Sequence, residues 1–184
     1  MEALQILVKN MEKKDIRKQV FAQRAKTSEA FVQQQSSLIA GKIFALPQFQ
    51  DASCIYVYMD YNKEASTRAV IEEAWRLGKK VAAPKVFDDD VAPGYFNIPE
   101  PDETRNLEEA ADETALLLVP GVAFDKDRHR CGYGKGFYDR YLSRHTQHAT
   151  VAMALDFQIV ETVPSDVYDI CPQMLITPTM IYGK

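Results

Sequence analysis

Residues 130–140 read Arg-Cys-Gly-Tyr-Gly-Lys-Gly-Phe-Tyr-Asp-Arg, and three alternating glycines around a lysine constrain the fold more than any other run in the chain. An apolar, strand-like segment from Ala115 to Val119 lies upstream and closes at Pro120-Gly121, and a helix-compatible stretch from Phe137 to Arg144 follows the loop directly. Strand, glycine loop and helix start together make an anion site. Glycine lets successive N–H groups converge on one oxyanion, and the helix start adds unpaired donors and partial positive charge. Arg130 and Lys135 supply full charges. The expected guest is a phosphate group. The spacing is not that of a P-loop, since Gly-Lys-Ser/Thr is missing, nor that of a dinucleotide fingerprint, where Phe137 stands in place of the third glycine.

The flanking sequence supplies a scaffold for such a loop. From Glu2 to Ala25 the composition is helical, and Lys13, Arg17 and Arg24 recur at spacings of four and seven that bring all three near one face. Thr27 or Ser28 can cap a second helix to about Ala45, stopped by Pro47. Cys54 to Met59 is β-branched and aromatic. Ser66 or Thr67 can cap a helix through Leu77, with Gly78 as its left-handed stop, and Lys80 to Ala83 reads as the next strand. That βαβ unit calls for a parallel sheet. Ala115 to Val119 and Thr150 to Leu155 add buried strands, and Leu175 to Thr177 reads as a short edge strand. The fold class is α/β: one Rossmann-like domain over 1–184 in three layers, a mostly parallel sheet flanked by helices, opened by a helical pair. Ligands are expected beyond the carboxyl ends of the strands. The acidic, proline-rich stretch Asp88 to Asp112 reads either as a solvated loop or as a flap whose Tyr95, Phe96 and Ile98 face a substrate.

Composition excludes several classes. A formal charge of −4 argues against a general nucleic-acid binder, so any anion must be held by a local basic pocket. No apolar stretch approaches the length of a membrane span, and the N-terminus does not read as a secretory signal; the expectation is a cytoplasmic monomer acting on a small molecule. Cys54, Cys131 and Cys171 are too few and too scattered for a disulfide framework, and Cys131 reads as an apolar filler. His145 and His148 read as a solvated surface pair.

With Pro120-Gly121, Phe124-Asp125 and the run from Arg130 to Asp139 together, the chain resembles the 5-formyltetrahydrofolate cyclo-ligase family, whose pattern is Pro-Gly, Phe-Asp, then Arg-Leu-Gly-x-Gly-x-Gly-Tyr-Tyr-Asp. Further matches are Lys13 and Arg17 for the N-terminal Lys-x-x-x-Arg, Glu64 after the first strand, Phe96-Asn-Ile-Pro-Glu-Pro101, and Gln158, Pro164 and Asp169 near the end. Four positions depart from the pattern: Cys131 for Leu, Arg128 for Gly, Phe137 for Tyr and Pro172 for Asp. The segment between Val86 and Pro93 is also short.

The resemblance implies ATP- and Mg²⁺-dependent conversion of 5-formyltetrahydrofolate to 5,10-methenyltetrahydrofolate. Carried over residue by residue, it assigns Lys135 and Arg130 to catalysis. The nucleotide would lie on Lys13, Arg17, Arg130, Cys131, Gly132, Tyr133, Gly134, Lys135, Gly136, Phe137 and Tyr138. Met59, Glu64, Phe96, Tyr133 and Phe137 would meet the folate, and Asp139 and Asp169 the metal. Two alternatives stay open: a kinase or ligase acting on another small anion, and a sensor that kept the loop without turnover.

Overall fold

A computed structural model describes residues 11–83 and 112–183. The described residues open with α1 (Lys13–Lys26) and α2 (Glu29–Phe44). Between them Ser28 is the cap, its hydroxyl accepting from the Phe31 N–H at 3.2 Å. Helix α2 ends at Phe44, and Pro47 then opens the short α3 (Pro47–Asp51), where its fixed φ suits a first helical turn. Strand β1 (Cys54–Tyr56), α4 (Arg68–Arg76) and β2 (Lys80–Ala82) form the expected βαβ unit, and Gly78 follows the helix at φ 72°.

Downstream lie β3 (Leu116–Val119), a two-stranded ribbon of β4 (Ala123–Phe124) and β5 (Arg130–Cys131), and α5 (Phe137–Arg144). The chain closes with β6 (Ala149–Met153), a 3₁₀ turn (Asp156–Gln158), β7 (Met174–Ile176) and β8 (Ile181–Gly183). The main sheet has the order β2-β1-β3-β6-β7-β8, parallel except for the antiparallel β8. Two expectations change. The strand near Leu175 is internal, because β8 pairs with it and takes the edge. The glycine loop does not leave β3 directly: the β4–β5 ribbon, a separate two-stranded sheet, intervenes.

Burial follows three layers. One sheet face, with Ile55, Leu116, Leu118, Val151 and Met153, packs under α2, α3 and α4 through Ile39, Ile43, Phe49, Val70 and Ala74. The other, with Tyr56, Leu117, Val119, Ala152 and Leu175, packs under α5 through Leu142. Continuous apolar runs such as Leu116–Val119 are what a parallel strand buried on both faces requires. A third cluster joins Ile16 and Val20 of α1 to Val122, Ala123 and Cys131 of the ribbon. The chain reverses its direction of travel across the sheet between β1 and β3, which leaves a crevice at their carboxyl ends. No helix among the described residues is long and apolar enough to cross a membrane.

His148 corrects the surface pair: it is buried, stacked on Tyr141 with ring centroids 6.0 Å apart, and its Nδ1 lies 3.2 Å from the Ala115 carbonyl. Cys131 is the expected filler, fully buried with its thiol toward the Lys13 carbonyl at 3.4 Å.

Candidate active site

The crevice is built from three segments: the loop after β1, the Pro120-Gly121 turn after β3 with its ribbon and glycine loop, and helix α1 laid across them. On α1 the offsets of four and eleven residues place Lys13, Arg17 and Arg24 within about 40° of one another around the axis. All three reach toward the loop side of the crevice. The Lys13 Nζ donates to Asp169 Oδ2 at 2.5 Å, the Arg17 Nε donates to the Gly132 carbonyl at 2.7 Å, and the Arg24 Nη1 donates to the Tyr133 hydroxyl at 2.9 Å.

Gly134 and Gly136 sit at φ 103° and 64°, a left-handed backbone that side-chain-bearing residues rarely adopt. Gly136 is the N-cap of α5, so the loop ends on the unpaired donors of that helix. Guanidinium groups crowd the glycines: a Cβ would stand 3.2 Å from Arg130 Nη1 at Gly132, 3.5 Å from Arg17 Nη2 at Gly134, and 3.4 Å from Arg140 Nη1 at Gly136. Arg140, which nothing in the sequence pattern singles out, donates to the Lys135 carbonyl at 2.8 Å and lies over the Phe137 ring at 5.0 Å. Lys135 is exposed at the tip of the loop.

Arg130 lies beneath the loop. It is buried, donates from Nη2 to Asp139 Oδ1 at 2.6 Å and from Nη1 to the Pro120 carbonyl at 3.4 Å, and faces the Tyr138 ring at 5.9 Å. Asp139 Oδ1 also accepts from the Ile170 N–H at 3.1 Å, which brings the start of α5 against the segment carrying Asp169. Partial burial pushes the Asp169 carboxyl up, but the hydrogen bonds from Lys13 and the Asp166 N–H outweigh it and hold the group below the usual range. Each carboxylate assigned to a metal is thus paired with a cation assigned to phosphate.

Tyr138 turns inward, where burial and the nearby Glu64 push its hydroxyl well up, and it packs against both faces' core clusters. Gln158 is buried and braces the Pro120-Gly121 turn, donating to the carbonyls of Gly121 and Val122 at 3.0 Å each.

On the far wall, the loop after β1 makes a left-handed turn at Asn62 and Lys63, φ 48° and 57°, and delivers Glu64 into the interior. Glu64 Oε2 accepts from the Tyr61 N–H at 3.0 Å; Oε1 stands 4.0 Å from Arg24 Nη2 and has no hydrogen-bond partner among the described residues. Burial pushes the carboxyl up to about 7, against the opposing pull of Arg24, the Tyr61 N–H and Tyr133. Met59 is half-buried where this loop begins, and Phe96 falls outside the described residues.

One group of potential metal donors, Asp125, Asp127 and His129, lies in the ribbon turn. Its buried carboxylate is already engaged by that turn: Asp125 accepts from the N–H groups of Asp127, His129 and Val163 and pairs with His129 Nδ1 at 2.9 Å. Arg128, in the family's glycine position, carries φ 71° there.

Comparison with known proteins points to one family. Residues 9–178 match the profile of the 5-formyltetrahydrofolate cyclo-ligase family. A probable 5-formyltetrahydrofolate cyclo-ligase of Schizosaccharomyces pombe is 28% identical over 94% of this chain and 98% of its own length. The 5-formyltetrahydrofolate cyclo-ligase of Mus musculus is 32% identical over 73% of this chain and 78% of its own. Among solved structures, the 5,10-methenyltetrahydrofolate synthetase of Aquifex aeolicus superposes with a TM-score of 0.78 at 30% identity, covering 94% of this chain and 93% of that one.

Proposed function

This chain belongs to the 5-formyltetrahydrofolate cyclo-ligase family, and from that premise we propose that it closes 5-formyltetrahydrofolate to 5,10-methenyltetrahydrofolate, driven by ATP and releasing ADP and phosphate. The observation that carries the proposal is the gathering of Arg17 and Arg130 around Gly132 and Gly134, at a helix start beside the buried carboxylate of Glu64, with Lys13 one helical turn from Arg17 and held on Asp169.

The formyl oxygen is a poor leaving group. Transfer of the γ-phosphoryl group to it makes the oxygen a phosphate ester; the neighbouring secondary amine nitrogen then attacks the formyl carbon, the C–O bond breaks, and phosphate leaves. This demands positioned cations and backbone donors rather than covalent chemistry by the protein. Lys135, exposed at the loop tip, follows the γ-phosphoryl group. Lys13 and Arg17 grip the phosphates from α1, and Arg130, tied to Asp139, keeps the loop amides in place from below. Asp139 and Asp169 fit Mg²⁺ by donor chemistry, as partly exposed carboxylate oxygens, and Lys13 on Asp169 is a cation that triphosphate oxygens can draw away. Such an ion, when bound, neutralises charge building on the phosphates.

The orphan Oε1 of Glu64 suits an N–H of the folate ring, for which Met59, Tyr133 and Phe137 are the proposed apolar walls. The enzyme is expected to work as a cytoplasmic monomer. Growth of methenyl absorbance with ATP, Mg²⁺ and 5-formyltetrahydrofolate tests the function. Tight ATP binding with no product would overturn it in favour of another small-anion substrate.

A further inference from the structure

Arg24 is almost wholly buried, yet it carries a full charge and its nearest carboxylate among the described residues stands 4.0 Å away. Its Nη1 donates to the Tyr133 hydroxyl at 2.9 Å and the Asn62 carbonyl at 3.2 Å, its Nη2 donates to the Gly121 carbonyl at 3.3 Å, and its Nε has no partner among the described residues. Burying a guanidinium this deeply is costly, and an apolar side chain of similar size is often more stabilising at such a place. The partners show what the cost sustains. Tyr133 belongs to the glycine loop, Gly121 to the turn after β3, and Asn62 to the strained turn that delivers Glu64. One side chain therefore ties the phosphate side of the crevice to its opposite wall.

We propose that Arg24 is a positioning residue: through the Tyr133 hydroxyl and the carbonyls of Gly121 and Asn62 it fixes the glycine loop in register with Glu64, the carboxylate that faces the folate ring. The assignment deepens the cyclo-ligase function proposed above and rests on it for the identity of the ring. Among the described residues, the groups facing Glu64 are few. Arg24 from α1 and the Tyr133 hydroxyl favour its ionised form; Asp60 in its own loop opposes it; and Tyr58 and Tyr138 are neutral phenols that feel it. Burial pushes the Glu64 carboxyl up, and Arg24 is the largest influence opposing it.

Arg24→Met and Tyr133→Phe test the assignment in the full chain, read in two independent ways. The first is the titration midpoint of the Glu64 carboxyl, followed by carbon NMR without substrate. The midpoint is expected to rise by about one pH unit in Arg24→Met and by less in Tyr133→Phe. The second is the pH profile of kcat/KM for 5-formyltetrahydrofolate, whose acidic limb moves up with the midpoint, KM for the folate rising more than KM for ATP; Arg24→Lys restores part of both shifts. If Arg24→Met does not fold, Tyr133→Phe, which removes one oxygen, decides alone. Wild-type midpoints in every folded variant overturn the role of Arg24. An inactive wild type whose Glu64 midpoint still moves instead overturns the cyclo-ligase function and leaves the positioning role standing.

Discussion

The ammonium of Lys13 and the carboxylate of Asp169 meet at 2.5 Å across 156 residues of sequence, tying the first described helix to the segment that precedes β7. Both side chains retain some exposure, so the pair is within reach of solvent and of ligand. A nucleotide with its metal can exchange these partners, phosphate taking the lysine and metal the carboxylate. The two halves of that exchange respond oppositely to Asp169→Asn. Metal-free ADP is expected to bind more tightly, because Lys13 is released, while Mg²⁺-dependent turnover falls at least tenfold. Calorimetry with and without Mg²⁺, beside an activity assay, reads both, and weaker metal-free binding would count against the exchange.

Arg130 serves the loop from below, and its loss should be felt first in stability. Arg130→Ala leaves the partly buried Asp139 without its 2.6 Å partner, at a cost of about 2 to 3 kcal/mol. Thermal unfolding is expected to shift down by several degrees, with turnover falling further than the loss of folded protein explains. Arg130→Lys keeps the charge but not the fork, and should recover stability only in part.

Lys135→Ala is the complementary case. The side chain is exposed at the loop tip, so the melting temperature should stay within a degree or so of wild type while kcat falls by roughly two orders of magnitude. Wild-type turnover in that variant would remove Lys135 from catalysis.

Glu64 makes stability depend on pH. Its carboxyl is raised to about 7 in the folded protein, mainly by burial, so the protonated form is the one that folding favours. The resulting stability is complete below the unfolded value near 4.5 and is lost as pH rises through 7. The loss amounts to roughly 3 kcal/mol once the carboxyl is fully ionised. Glu64→Gln is expected to match wild-type stability at pH 4 and to exceed it at pH 8.5, while folate affinity drops. Equal stability at both values in denaturant titrations would show that the interior does not resist this charge.

Legibility in the sequence follows how local each signal is. Ser28, Gly78 and the glycine run announce themselves because cap and left-handed positions admit few residue types. The ribbon of β4 and β5 does not, being two residues per strand, too short for any period. Strand β8 is hidden because Ile181–Gly183 is short, largely exposed and ends in glycine; only its pairing with β7 makes it a strand. Arg24 shares a helix face with Lys13 and Arg17, but its burial depends on Glu64 and Tyr133, 40 and 109 positions downstream. His148 likewise becomes interior only through Tyr56 and Tyr141.

Helix α1 rests chiefly on the ribbon and the 3₁₀ turn rather than on the six-stranded sheet, and it buries only Ile16, Val20 and Arg24. Its apolar attachment is therefore smaller than that of the body of the fold, and it is expected to open as a separate cooperative unit. A nucleotide clasped by Lys13 and Arg17 would fasten the element least firmly held. Amide protons of α1 would then exchange far more slowly with the ligand bound, while those of β3 and β6 kept their pace.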